Sequence, residues 1–316
     1  MSEVFRGAVG DLDELTPVDS VVTIGNFDGV HRGHQVLLRR AVNTAHDRDM
    51  RAVAITFDPH PAAVLRPGSE PPRLQPIDER VAALLALHVD LVLVLEFSHE
   101  LSRLTPAEFV EQVLVRPLAT RRLIVGTNFR FGHKAAGDVV TLVEEGEQHG
   151  FEVEAVALFE LEGRPLSSTA VRAALAEGRL EWANAALGRP YRLHGEVVAG
   201  EGRGRTIGIP TANVAVGETR VVPGNGVYAG TASVEGEVWR AVTNVGLRPT
   251  FDGKVRTVEV HLLDADPGTD LYGRELSVTF EHRLRDEQRF DGIDALVAQI
   301  HADVDAARTL LGGPPV

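Results

Sequence analysis

Short apolar runs alternate with helix-length amphipathic stretches through the first half of the chain, and this alternation does most to restrict what it can fold into. Apolar runs at 21–24, 52–57, 91–95, 122–125 and 152–157 read as buried strands. Helical spacing occupies 34–46, 78–87, 106–115 and 139–149 between them. Parallel strands need crossovers of this length, so the pattern predicts a Rossmann-like, doubly wound α/β domain with helices on both faces of the sheet. Ligands in such sheets bind beyond the carboxyl ends of the strands. That directs attention to the loops after Ile24, Phe57 and Val125.

Near Gly188-Arg-Pro190 the pattern changes. Apolar residues now alternate with polar ones, and 226–234 and 237–245 flank Glu235-Gly236, a hairpin signal. Further strands are predicted at 255–263 and 275–283, and a closing helix at 293–311. Several strands with Gly and Pro turns suggest a small antiparallel barrel. A length of 316 residues fits two domains. Their expected extents are 1–186 and 187–316.

The formal net charge of −13 argues against a general nucleic-acid surface, which is basic. It leaves room for nucleotide binding by locally concentrated donors. The chain has no cysteine, which excludes disulfides, thiolate nucleophiles and Cys-ligated zinc. Residues 1–10 mix acidic and basic side chains with no apolar core, so no signal peptide is expected. The most apolar stretch, 81–97, is interrupted by His88, Asp90 and Glu96, so no membrane span is expected either. The expected location is the cytoplasm, with no nucleic-acid or membrane partner; self-association is left open.

The run at 21–24 leads directly into Gly25-Asn-Phe-Asp-Gly-Val-His-Arg-Gly-His34. Its glycines let the backbone come close to a ligand. His31 and His34 are three apart and share one face of a helix start, where free N–H groups and the helix dipole favour an anion. Two imidazoles there can donate hydrogen bonds to charge developing on phosphoryl oxygens. The competing readings are a Gly-rich turn with two surface histidines, or a metal pair that lacks nearby partners to complete it. Gly126-Thr-Asn-Phe-Arg-Phe-Gly132 offers an amide, an arginine and two rings to a nucleotide or flavin. Ser167-Ser-Thr-Ala-Val-Arg172 opens a helix and by itself reads as an N-cap. With Arg172 one turn inside, its hydroxyls and guanidinium can converge on phosphate.

Together these strings resemble the nucleotidyltransferase superfamily that shares the His-x-Gly-His signature. The phrase around Phe27 and Asp28, with Asn128-Phe-Arg-Phe-Gly132, resembles the FMN adenylyltransferase domain of bacterial bifunctional FAD synthetases. The resemblance implies in-line attack of the FMN phosphate on the α-phosphorus of ATP, with pyrophosphate leaving and no covalent enzyme intermediate. It implies ATP contacts from Gly25, Phe27, Asp28, His31, His34, Ser168, Thr169 and Arg172, of which His31, His34 and Arg172 are catalytic. It implies FMN contacts from Asn128, Phe129 and Arg130.

The second half has no Gly-x-x-x-x-Gly-Lys-Ser/Thr and is not a P-loop kinase. It carries Gly202-Arg-Gly-Arg-Thr-Ile-Gly-Ile-Pro-Thr-Ala-Asn213. Its glycines, Gly202 and Gly204 among them, can wrap phosphates through backbone N–H groups. Thr211 and Asn213 alternate, so in an extended segment both oxygens point to one side, an arrangement suited to Mg²⁺ bridging ATP phosphates. A surface glycine loop before a strand is the alternative. With Asn244-Val-Gly-Leu-Arg-Pro-Thr250, Val258-Glu-Val-His-Leu-Leu-Asp264 and Asp270-Leu-Tyr-Gly273, this run resembles the riboflavin kinase family, a small Greek-key barrel, over nearly all of 191–311. Ile209 stands where that family usually has Phe, which keeps the position apolar.

The kinase resemblance implies that Glu259 accepts the proton of the ribityl 5′-hydroxyl. It also implies ATP at Gly202 and Gly204, Mg²⁺ at Thr211 and Asn213, and flavin contacts at Arg285 and Phe290. The expected activity is conversion of riboflavin and ATP to FMN and ADP, then of FMN and ATP to FAD and pyrophosphate. ATP is a co-substrate and no tightly bound prosthetic group is expected. One alternative is an adenylyltransferase for pantetheine phosphate or nicotinamide mononucleotide fused to a degenerate barrel; Thr211, Asn213 and Glu259 speak against degeneracy. Another is a flavin-responsive regulator. The set His31, His34, Arg172 and Glu259, with no basic helix-turn-helix, speaks against that.

Overall fold

A computed structural model describes residues 2–200, 204, 207–217, 219–250, 253–266 and 269–313, with 248–250 and 253–255 described by backbone alone. The chain divides into two compact units, Met1–Ser168 and Thr169–Val316.

The first unit is built on six parallel strands: β1 (Glu3–Gly7), β2 (Ser20–Ile24), β3 (Arg51–Asp58), β4 (Leu91–Glu96), β5 (Thr120–Gly126) and β6 (Glu152–Val156). Their order is β1-β4-β3-β2-β5-β6. The helices are α1 (Arg32–His46), α2 (Pro61–Leu65), α3 (Ile77–Leu85), α4 (Pro106–Phe109, continued as a π-helix over Val110–Val115) and α5 (Val139–His149). Alternate strand residues feed two cores, as the period of two requires. Val22, Ile24, Val53, Ile55, Leu93 and Leu123 pack with Phe109, Val113 and Leu142. Val21, Ala52, Ala54, Val92 and Ile124 pack with Leu38, Ala41, Val42, Ala45 and Leu84. Burial on both faces explains why these strands read as unbroken apolar runs. From β2 the chain builds outward through β3 to β4, then resumes on the other side with β5 and β6. The strand order therefore reverses between β2 and β5, and the crevice between their carboxyl ends is the binding position in this class of sheet.

β1 was not foreseen. Its five residues include Glu3 and Arg6, and its inward side is only half-buried, so no apolar run marks it. Backbone pairing with β4 creates it. A two-residue hairpin, β7 (Glu160–Leu161) with β8 (Arg164–Pro165), precedes α6 (Ser168–Ala176).

α6 crosses from the first unit into the second. There α7 (Leu180–Leu187) leads into β9 (Tyr191–Val198), β10 (Ala212–Ala215), β11 (Gly226–Val234), β12 (Glu237–Thr250), β13 (Gly253–Leu262), β14 (Glu275–Phe280) and β15 (His282–Arg285). Six of these form a closed antiparallel Greek-key barrel in the order β12-β13-β10-β9-β14-β11, with β11 pairing back to β12. β15 extends along β11. The Glu235-Gly236 turn has φ of 52° and 92°, the two left-handed positions of a type I′ hairpin. α8 (Ile293–Leu311) closes the unit, with Val304 and Ala307 against Val227, Ala229 and Val242. Asp264 pins its last turn by accepting from both Arg240 and Arg308. No helix among the described residues is long and apolar enough to cross a membrane.

Leu38 is fully buried between α1 and the sheet. We expect Leu38→Ala to lower the stability of the first unit by about 2–5 kcal/mol. Denaturant melts of the full chain should show that loss, with the barrel's own transition unmoved.

Candidate active sites

The first site grows from the end of β2. Gly25 N–H still donates to the Ile55 carbonyl at 3.1 Å, so the chain leaves the sheet just after it. The loop then buries Phe27 and Val30 among Leu38, Ala41 and Ala54. His31 is the N-cap of α1, its Nδ1 accepting from His34 N–H at 3.3 Å. One turn of helix brings the two imidazoles together, stacked at 3.6 Å between centroids and 19° between planes. The edge of Phe27 supports His34 from the side, 5.2 Å away at 87°. Because Nδ1 of His31 accepts, the proton of the neutral ring sits on Nε2. Burial, then the His31 ring, then the Arg80 guanidinium hold the His34 pKa well below the usual imidazole range.

The other expected contacts divide into two groups. Phe27 is in the core and Asp28 turns its carboxylate inward, accepting from Leu74 N–H and Gln75 N–H. Both side chains are buried, and the Asp28 carboxylate is tied to the 74–75 backbone. Ser168 Oγ donates to the Asp28 carbonyl at 2.8 Å, which ties the start of α6 to the loop. Thr169 and Arg172 follow on α6, within the second unit. After β5, Asn128 is exposed, and Phe129 is half-buried and stacked on buried Phe131 at 5.8 Å. Arg130 is exposed and pairs with Asp138, the N-cap of α5, at 3.0 Å.

The second site is a cavity of about 590 Å³ in the barrel unit. Gly204, Thr211, Asn213, Glu259, Arg285 and Phe290 all line it. Sheet register explains the convergence. Asn213 on β10 lies opposite Glu259 on β13, and Asn244 on β12 lies opposite the same residue from the other side. Three polar side chains thus stand in one row across three strands. Thr257, Glu259 and His261 alternate with buried Val258 and Val260 and share the cavity-facing side of β13. His261 Nδ1 lies 2.8 Å from the Pro210 carbonyl, which fixes the approach to Thr211. The Gly204 carbonyl accepts from Ile209 N–H at 2.8 Å and closes the turn ahead of Thr211. Gly202 lies outside the described residues. Arg285 is engaged bidentately by buried Asp303 of α8 and stands 5.8 Å over the Phe290 ring.

Both halves of the chain match known protein families. A family described as FAD synthetase matches residues 14–170, and one described as riboflavin kinase matches 187–311. A protein of Pseudomonas fluorescens named bifunctional riboflavin kinase/FMN adenylyltransferase is 44% identical over 292 residues, 92% of each chain. The Escherichia coli K12 protein of the same name is 39% identical over 311 residues, 98% of each chain. The chain belongs to the bifunctional riboflavin kinase/FMN adenylyltransferase family. Among solved structures, a Streptococcus pneumoniae chain titled macrolide-efflux protein superposes with a TM-score of 0.87 at 32% identity, covering 96% of this chain and 98% of that one.

The stacked histidines lie within the first matched stretch and the polar row of the barrel within the second. Sequence reasoning missed several neighbours. Asn244, Thr257, His261, Glu287 and Gln288 line the kinase cavity. Asn244 and His261 stood inside strings already singled out, and strand register was the missing information. His60, the N-cap of α2, places Nε2 3.4 Å from the Asn26 amide. Arg80 approaches the first site from α3 and carries no motif at all.

Gly33 lies beneath the His31 ring: a Cβ there would meet ring atoms at 3.2 Å. Gly33→Ala sets a helix-propensity gain of up to about 1 kcal/mol against the cost of shifting the His31 cap and stack, so stability should change little in either direction. It should nevertheless lower adenylyl transfer by displacing His31. A melting curve beside an FAD-formation assay checks both halves.

Proposed function

We propose that residues 1–186 carry the adenylyl transfer and 187–316 the kinase reaction, each with its own set of residues. The observation that supports this division best is the polar row in the barrel cavity, Asn213–Glu259–Asn244 with Thr211 beside it. It lies in a different unit from the stacked His31 and His34.

In the kinase step riboflavin offers its ribityl 5′-hydroxyl. Glu259 accepts the proton as the oxygen bonds to the γ-phosphorus of ATP, and ADP leaves. Thr211 and Asn213 offer two neutral oxygen donors on one cavity wall. That set fits Mg²⁺, which takes few protein ligands and completes its shell with water and phosphate. Mg²⁺ bound there supplies charge neutralisation for the phosphates. Gly202 and Gly204 hold the phosphates through backbone N–H groups, and Phe290, with Arg285 over its ring, covers the flavin.

In the adenylyl step a phosphate oxygen of FMN attacks the α-phosphorus of a second ATP, and the bond to pyrophosphate breaks. No proton need move and no enzyme atom bonds to phosphorus. Catalysis is positioning and stabilisation of charge. His31 and His34 donate to the phosphates at the start of α1, where backbone N–H groups also face the anion. Ser168, Thr169 and Arg172 take the pyrophosphate end. Asn128, Phe129 and Arg130 receive FMN. Both reactions draw on ATP, and we infer a cytoplasmic location from that need.

His34→Ala should abolish FAD formation and spare FMN formation. Glu259→Ala should abolish FMN formation from riboflavin and spare FAD formation from supplied FMN. Incubation with riboflavin or FMN, ATP and Mg²⁺, followed by chromatography of the flavins, reads both. Loss of both activities from either substitution in a folded protein would refute the division of labour.

A further inference from the structure

Arg80 is buried, and the reactions as set out above do not use it. A buried guanidinium is costly unless it is paired and hydrogen-bonded, so its position calls for an explanation. Its NH1 group donates to Thr56 Oγ1 and to the Phe57 carbonyl, each at 3.3 Å, at the carboxyl end of β3. Its NH2 group lies 3.7 Å from the Asp28 carboxylate, which is also buried. Thr56 Oγ1 in turn donates to the Asn26 carbonyl at 3.0 Å. Asp28 accepts from the backbone of Leu74 and Gln75. One cation therefore joins α3, the end of β3, the 25–31 loop and the 74–75 segment in a single polar knot beside the histidine pair.

The surroundings of His34 suit an uncharged ring. Its Nδ1 is buried with no hydrogen-bond partner, so a proton placed there finds no acceptor. The charged and titratable groups that bear on it are His31, stacked on it from its own helix start, and Arg80 from α3. Asp28, from the loop, balances part of the Arg80 charge. Burial and both of these neighbours disfavour the imidazolium.

We propose that Arg80 is a positioning residue for adenylyl transfer, which fixes the 25–31 loop through Asp28 and Thr56 and keeps a permanent positive charge in the knot that holds this loop, so that His34 meets the triphosphate as a neutral hydrogen-bond donor. The proposal rests on the reading of the first site as the adenylyl-transfer centre. A neutral donor is stabilising where charge develops and adds no ion that must itself be desolvated.

The test uses the full chain with ¹⁵N-labelled histidine, titrated by NMR without ligand, beside assays of both activities. Arg80→Met removes the charge at similar volume, so the His34 midpoint should rise. FAD formation should fall roughly tenfold or more through misplacement of the loop, with FMN formation unchanged. Arg80→Lys keeps the charge and should return the midpoint to that of the unsubstituted chain, with part of the FAD activity. An unmoved midpoint in a folded Arg80→Met chain overturns the proposal. If the methionine variant unfolds the first unit, the unsubstituted chain decides: the His34 midpoint should lie below that of an ordinary imidazole, and an ordinary or raised midpoint overturns the proposal. An unsubstituted chain that forms no FAD overturns the reading of the site itself, and the titration tells that failure from the first.

Discussion

The first unit depends on anchoring a loop that has left its sheet. Beyond Gly25 the 25–31 segment has no strand to pair with, yet it must present His31 and His34 in one fixed geometry. It is held by burying Phe27 and Val30 in the core beneath α1. Both residues adopt left-handed backbone, with φ of 48° and 39°. For side chains of this size such conformations cost about 1–3 kcal/mol each. Burial of a Phe or Val side chain contributes about 1.5–3 kcal/mol, so the two effects nearly offset. The loop is thus fixed with little net change in stability, and the polar knot at Asp28 supplies the remaining restraint.

The barrel solves the same problem by different means. Asn213, Glu259 and Asn244 sit on three neighbouring strands at matched register. Paired residues on adjacent strands stand about 4.5–5.5 Å apart, so the ladder itself sets their spacing. No strained turn is needed. Helix α8 then completes the wall, and the Arg285–Asp303 pair connects it to the segment that carries Phe290. A site set on strands is rigid by construction. A site set on a loop has to be made rigid by what is buried under it.

This difference explains what the sequence disclosed. The strands β2 to β6 were readable because burial on both faces demands unbroken apolar runs. β11 and α8 were readable through alternation and helical spacing, each with its ends correctly placed. β1 was hidden because its pairing with β4 is made by backbone groups, whatever side chains it bears. The start of α1 was set two residues late, since its cap is His31 itself, acting through Nδ1 rather than a hydroxyl or carboxylate. The segment 106–115 was read as one helix, but its second half is wound as a π-helix, a change of hydrogen bonding that leaves no mark in apolar spacing. At the sites, motifs identified the groups that face a ligand. They also included Phe27 and Asp28, which the fold buries. Arg80 escaped because its partners lie on a strand end and a loop that only the fold brings together.

The charge of the chain constrains how it can hold its substrates. With a net charge of −13 it takes triphosphates, and the cations nearest the two sites are largely committed. Arg80 faces Asp28, Arg73 faces Asp58, Arg130 faces Asp138 and Arg285 faces Asp303. Paired in this way, their fields largely cancel beyond a few ångströms, so they add little long-range attraction for an anion. Beside the Arg172 guanidinium and the Mg²⁺ proposed above, the grip then draws on neutral donors at contact distance: the backbone N–H groups at the start of α1 and, on the proposed reading, the imidazole N–H groups of His31 and His34. Such donors act only once the phosphate is seated. They discriminate by geometry, and geometry is what an in-line displacement at phosphorus requires. An acidic surface is then compatible with nucleotide chemistry, because rigid placement of neutral donors takes the part that a basic patch plays in a charge-steered binder.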